Sequence, residues 1–182
     1  MLQPRVYASS FTSPAQALMT ARILWFAFLM SHVIYVFIGK TIMMTTGAPI
    51  EGAGLESSIV PAVPPTLMTA FEDPQALFFA AVAGMALLMS FVLPSFFAKL
   101  RAQSVQNLAE SQKLQVKFTA FVLGAALNEM VALIGFTTGF VLLKNFEFGL
   151  AFIVVSAVAM LSRFPTSESF NEKPAQMGVR IG

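Results

Sequence analysis

The chain has no cysteine, one histidine, one tryptophan and two tyrosines among its 182 residues, and only 11% of them are charged. Without cysteine there is no disulfide, no thiolate metal site and no cysteine nucleophile, and the redox compartment is left open. A single histidine with no G-x-S-x-G around any serine leaves serine-hydrolase chemistry without its parts. One histidine and one isolated glutamate are too few for zinc, which takes three or four protein ligands, so neither a metal nor another cofactor is expected, and neither is an enzyme. No run of lysine and arginine is long enough to track a phosphate backbone, which sets nucleic acid aside as a partner. Strict polar/apolar alternation in segments of about ten residues is also missing, and with it the signature of a membrane β-barrel.

What fills the space is apolar: 57% of the residues are hydrophobic and 19 are phenylalanine. A chain of this size cannot hide that much apolar surface in a water-soluble core, so it reads as an integral protein of the lipid bilayer. The apolar residues come in a few long blocks, which predicts an all-α membrane protein with four transmembrane helices arranged as hairpins in a bundle.

Ser13 and Pro14 form an N-cap followed by a first-turn proline, and a helix over about 15–39 follows. It is too long and too far from the start for a signal-peptide core, so it is expected to stay and to span. Arg22 and Lys40 lie towards its ends, placed to snorkel, and Trp25 and Tyr35 suit the two interfaces. Residues 41–73 make one long connection with Gly47, Gly52, Gly54 and a cluster of prolines at 61, 64 and 65. Asp73 and Pro74 repeat the cap signature and open a second helix over about 74–100, with a kinking Pro94 inside. A third is expected over 113–143 and a fourth over 147–163, the last short for a span at about 1.5 Å per residue. The chain thus divides into an N-terminal segment 1–14, a four-helix domain 15–164, and a loosely ordered tail 165–182.

The connection after the second helix holds Lys99, Arg101, Lys113 and Lys117 against one Glu110, whereas 41–73 holds four acidic residues and no basic one. The positive-inside rule places the basic connection and both termini in the cytoplasm, so the first and third helices run in parallel. From Lys117 to Lys144 the only charge is Glu129. An isolated intramembrane carboxylate is costly and nominates a site. His32 lies ten residues beyond Arg22 and Glu129 twelve beyond Lys117, roughly 15 to 18 Å in from those markers on parallel helices. An imidazole and a carboxylate at one depth relieve each other's desolvation by a hydrogen bond, although His32 is equally able to bond a backbone carbonyl or water. Ser31 and Asn128 are their sequence neighbours, and Ser90 lies at comparable depth on the second helix, so a polar cluster of Glu129, His32, Asn128, Ser31 and Ser90 is expected. Gly124, Asn128, Ala132, Gly135 and Gly139 recur at helical spacing, and Gly135 to Gly139 is a G-x-x-x-G. That stripe suits close helix packing, inside the bundle or in a homo-oligomer.

The stretch Ala126-Leu-Asn-Glu129-Met-Val-Ala-Leu-Ile-Gly135-Phe resembles the ion-carrying helix of the rotor-ring (proteolipid) subunit of ATP synthases, where a small residue and Leu precede x-Glu and a Gly follows six later. The resemblance implies that Glu129 binds and releases a proton or a sodium ion. The second helix, however, has no glycine ladder, and the connection after it has no Arg-Gln-Pro. Over nearly its whole length the chain resembles short four-helix bacterial inner-membrane proteins with a Glu-centred third helix and a tail like Arg163-Phe164-Pro165-Thr166. That likeness implies the fold and a multi-pass location in the bacterial cytoplasmic membrane. Two functional readings follow. One is a non-enzymatic structural or interaction subunit of a membrane assembly, its polar cluster fixing helix register. The other is an ion-binding subunit with Glu129 as the carrier.

Overall fold

The computed structural model describes residues 11, 13–46, 67–104 and 110–171, and they form helices only: α1 (Pro14–Thr46), α2 (Leu67–Ala70), α3 (Pro74–Ser104), α4 (Glu110–Gly135), a π-helical extension of α4 over Phe136–Leu142, α5 (Phe146–Leu161) and α6 (Ser167–Asn171). Three of them, over Pro14–Thr45, Pro74–Arg101 and Ser111–Leu142, are long and apolar enough to cross a bilayer; α5 is apolar but shorter. The protein is a helical membrane protein.

The helices begin where short polar side chains can satisfy their first amides. Ser13 Oγ accepts from Gln16 N–H at 3.2 Å, Asp73 Oδ1 from Gln75 N–H at 2.8 Å, and Asn145 Oδ1 from Phe148 N–H at 2.9 Å. Intramembrane hydroxyls return to their own helix: Thr41 and Thr45 donate to the carbonyls of Phe37 and Thr41. Helix α1 runs to Thr46, beyond the Gly39 end expected for it, and α3 continues through Pro94 to Ser104. The expected loop 41–73 therefore starts with helix and contains α2, while its residues 47–66, including the glycines and prolines, lie outside the described residues.

α4 is the hub: α1, α3 and α5 all pack on it. The pairs Phe11–Phe118, Ser31–Glu129 and Tyr35–Phe136 climb both helices together, so α1 and α4 run in parallel. Where α3 and α4 face each other, what lies inside is mostly small or polar. Ala76, Ala83, Ala86 and Ser90 form the buried face of α3, and Ala120, Gly124, Asn128 and Val131 that of α4, while Phe26, Phe37, Phe78, Phe91 and Phe96 point outward. That inversion of a soluble core fits helices that trade large side chains to lipid for close contact with each other.

Backbones meet directly in the α4–α5 hairpin. A Cβ on Gly139 would run into Cα and N of Gly149, and one on Gly135 into Phe152 Cβ; Gly39 is covered by the Phe140 ring. The small-residue stripe of α4 is therefore used up within the bundle. At the corner the α-helical bonds give way to a wider pattern, with Leu143 N–H donating to the Thr138 carbonyl at 2.8 Å, and Lys144 takes φ 50°, the left-handed region that closes helices. The tail, expected to be loose, is not so over its first residues: α6 packs on α1, and Phe170 is buried with Phe11, Ala17, Ala21 and Leu114.

A methyl group at Gly139 meets backbone, which cannot swing aside. Gly139→Ala is expected to destabilise the detergent-solubilised protein by about 1–3 kcal/mol. Gly84→Ala, whose Cβ meets nothing within 4 Å, is expected to stay within about 0.5 kcal/mol of wild type. Loss of helical circular dichroism with denaturant compares the two.

Candidate functional site

Midway along α1 the consecutive residues Ser31 and His32 face two different neighbours, because successive side chains on a helix are about 100° apart. Ser31 turns to α4, where its Oγ lies 2.5 Å from Glu129 Oε1, and it is also 2.5 Å from the Phe28 carbonyl. His32, 3% exposed, sits between the three helices. Its Nδ1 is 2.7 Å from the Phe28 carbonyl and 3.6 Å from Glu129 Oε2, and its Nε2 is 2.7 Å from Ser156 Oγ on α5. Ser156 completes the set by donating to the Asn128 carbonyl of α4 at 2.5 Å. The Tyr35 hydroxyl, one turn beyond Ser31, interacts with Glu129 and Ser31; it serves the cluster instead of standing at an interface.

A carbonyl only accepts, so Nδ1 beside the Phe28 oxygen carries a hydrogen. Ser156 Oγ lies between the Asn128 carbonyl and Nε2, and whether Nε2 accepts from it or donates to it follows the tautomer. Glu129 Oε2, 3.6 Å from Nδ1, is the acidic group beside the ring. Ser31 has one hydrogen for two oxygens at equal distance. With Glu129 ionised it donates to the carboxylate; with Glu129 protonated, the carboxyl donates to Ser31 and the hydroxyl turns to Phe28. Both charge states fit the same heavy-atom positions.

Of the residues proposed from the sequence, Glu129, His32 and Ser31 meet. His32 bonds the backbone carbonyl of Phe28, and Glu129 Oε2 lies 3.6 Å from the same nitrogen without a hydrogen bond. Asn128 joins through its backbone oxygen; its buried side-chain Nδ2 and Oδ1, like Glu129 Oε2, have no hydrogen-bond partner among the described residues. Ser90 is elsewhere: it donates to the Leu87 carbonyl at 2.6 Å and accepts from Arg163 Nη2 at 3.2 Å. Gly124, one turn from Asn128, leaves room for the Arg163 guanidinium as well as for Pro94, since a Cβ there would meet Arg163 Nη1. Gly135 and Gly139 pack on α5, and Ala132 is buried with Phe140 and Ile153.

Sequence reasoning missed Ser156, Tyr35 and the inward course of Arg163. The available signal for Ser156 was a polar residue between Val155 and Ala157 in an otherwise apolar helix. Among the described residues no three metal-ligating side chains gather. No protein-family model, curated protein or solved structure matches the chain.

Ser156 is the one hydroxyl that ties His32 to α4. Ser156→Ala is expected to leave the buried His32 Nε2 without its hydrogen-bond partner and to cost about 1–3 kcal/mol of stability. Ser162→Ala, which removes only a local bond to the Ala159 carbonyl, should change unfolding by under about 0.5 kcal/mol.

Proposed function

We propose that the chain is a non-enzymatic, four-span protein of the bacterial cytoplasmic membrane, a structural or interaction subunit of a membrane assembly whose helices are held in register by the Glu129 cluster. The observation that carries this reading is the clasp itself. Ser31 of α1 is bound to Glu129 of α4, and His32 of α1 is bound to Ser156 of α5, which in turn is bound to the Asn128 carbonyl of α4. In hydrocarbon such bonds have no water to compete with them, and they select one arrangement of helices over its slipped neighbours. The fourth span is α5, with the basic connection on the cytoplasmic side.

A specific observation favours a second reading, a proton-binding subunit like the rotor-ring helix that the Glu129 stretch resembles. Glu129 keeps an Oε2 without a hydrogen-bond partner among the described residues, its side chain is 16% exposed, and the shared Ser31 hydrogen accommodates both of its protonation states.

Labelling with a hydrophobic carbodiimide across pH, with Glu129→Gln as the unreactive control, separates the two. A static anchor is inert at every pH. Labelling that falls through a defined midpoint as pH rises identifies a titrating, lipid-accessible carboxyl and selects the second reading. For the anchor, Glu129→Gln is expected to keep assembly and unfolding near wild type, whereas Glu129→Leu takes the carboxyl away from Ser31 and His32 and is expected to cost about 1–3 kcal/mol. Full tolerance of Leu in denaturant titrations would sink the anchor.

A further inference from the structure

On the face of α4 turned towards α3 lies a groove of about 840 Å³, bounded by Ser90 to Lys99 of α3, Lys117 to Gly124 of α4 and the segment 162–170 that returns after α5. Its charged walls have one sign: Lys99, Lys117 and Arg163 line it, and among the described residues lining it there is no carboxylate. Lys117 is buried and donates to the Phe170 carbonyl at 2.6 Å. Arg163, just after the fourth helix, does not extend away from the bundle. Its guanidinium turns inward, 4.0 Å above the Phe91 ring, with Nη2 on Ser90 Oγ. Five N–H donors are thus served by one neutral hydroxyl and a ring face, with no ion pair to a described residue. Lys99 stands exposed on the rim, two turns along α3 from Phe91 and Val92.

The other wall is apolar and opens sideways. Phe91, Val92 and Phe96 are at least half exposed on the surface that α3 gives to lipid. An occupant must therefore be an anion at one end and a hydrocarbon at the other. A soluble anion would satisfy Arg163 and leave the aromatic wall bare; a neutral lipid would do the reverse. Guanidinium and ammonium groups at the edge of the hydrocarbon, without a carboxylate, are the recognition chemistry of a phosphodiester headgroup.

We propose that this groove binds an anionic glycerophospholipid of the leaflet on the Lys99 side, its phosphate between Arg163 and Lys99 and one acyl chain along Phe91 and Phe96. The site is separate from the Glu129 cluster and does not depend on how Glu129 functions.

Trp25, the single tryptophan, reports on it, because its indole packs edge-on against Phe164 at the groove wall, 5.0 Å between ring centroids. The full chain in phosphatidylcholine vesicles is titrated with brominated phosphatidylglycerol or brominated phosphatidylcholine, and quenching of Trp25 is followed. Half-quenching is expected at about five-fold lower mole fraction of the anionic lipid, the scale of one basic side chain acting on a headgroup. Arg163→Lys should retain the preference, Arg163→Gln should reduce it, and Lys99→Glu, a change on the exposed rim that leaves packing intact, should abolish it even if Arg163→Gln fails to reconstitute. Equal quenching by the two lipids in the wild type overturns the proposal, as does a preference that survives Lys99→Glu. Loss of the preference in excess inorganic phosphate, but not in chloride of matched ionic strength, identifies a small-anion site and also overturns it.

Discussion

In hydrocarbon an imidazole has no water to bond, and the way His32 is satisfied governs how the other helices are placed. One nitrogen is used on its own helix, at the Phe28 carbonyl. The second reaches across to Ser156, whose Oγ also meets the Asn128 carbonyl. A shift of α5 by one residue would carry Ser156 about 100° around its axis and break both bonds together. Glu129 stands on the adjoining face of α4, its Oε2 3.6 Å from the ring and its Oε1 on Ser31. Each polar group in the cluster is explained by the one before it, and the chain of reasons runs through α1, α5 and α4 in turn.

Backbones must come close for such short bonds to form, and here the glycines matter. Gly139 against Gly149 and Gly135 against Phe152 bring α5 onto the upper part of α4, while Gly39 lets Phe140 lie flat on α1. Bulk is placed around these contacts: Phe140, Phe148 and Met160 are fully buried, Phe136 meets Phe140 edge-on, and Phe146 lies tilted against it. The π turn at Phe136–Leu142 belongs to the same arrangement, because the widened helix ends in the left-handed Lys144 and the Asn145 cap that reverse the chain within three residues.

The long apolar blocks, the cap residues at Ser13 and Asp73, and the equal depth of His32 and Glu129 could all be read from the sequence, because each depends on spacing along one helix or on a local bond. The meeting of Ser31 with Glu129 required only that α1 and α4 be parallel neighbours. Ser90, expected at a comparable depth, lies instead beside Gly124, more than one helical turn of α4 from Glu129, because counting along one helix fixes neither the register of its neighbour nor the direction around the bundle. Ser156 was illegible for the same reason: a lone serine in an apolar helix bonds its own backbone or a neighbour, and only the packing of α5 decides which. Arg163 followed a general preference for arginine at a helix end to point towards headgroups, overridden here by a cleft that Gly124 leaves open and Phe91 floors. The ordered α6 was hidden because Phe170 is one aromatic residue in a polar stretch, and its burial depends on Phe11 and Leu114, far away in sequence.

Helix α5 shows how these pieces work together. Its 16 residues extend only about 24 Å, short of the roughly 30 Å hydrocarbon core, so its ends would leave backbone groups in an apolar medium. At its start the Asn145 side chain takes the Phe148 amide, and at its end the Trp25 indole donates to the Met160 carbonyl at 2.8 Å. Beyond that carbonyl, Arg22 holds the carbonyl of Pro165 at 3.2 Å. Two side chains of α1, one turn apart, thereby close the end of a helix that cannot reach water by itself. The same helix carries Ser156 in its middle and is followed by Arg163, so α1, α3 and α4 each fix it at a different height. A helix too short to span alone is held at a defined depth by polar bonds from its three neighbours, and a defined depth for α5 is what the bridge through Ser156 requires.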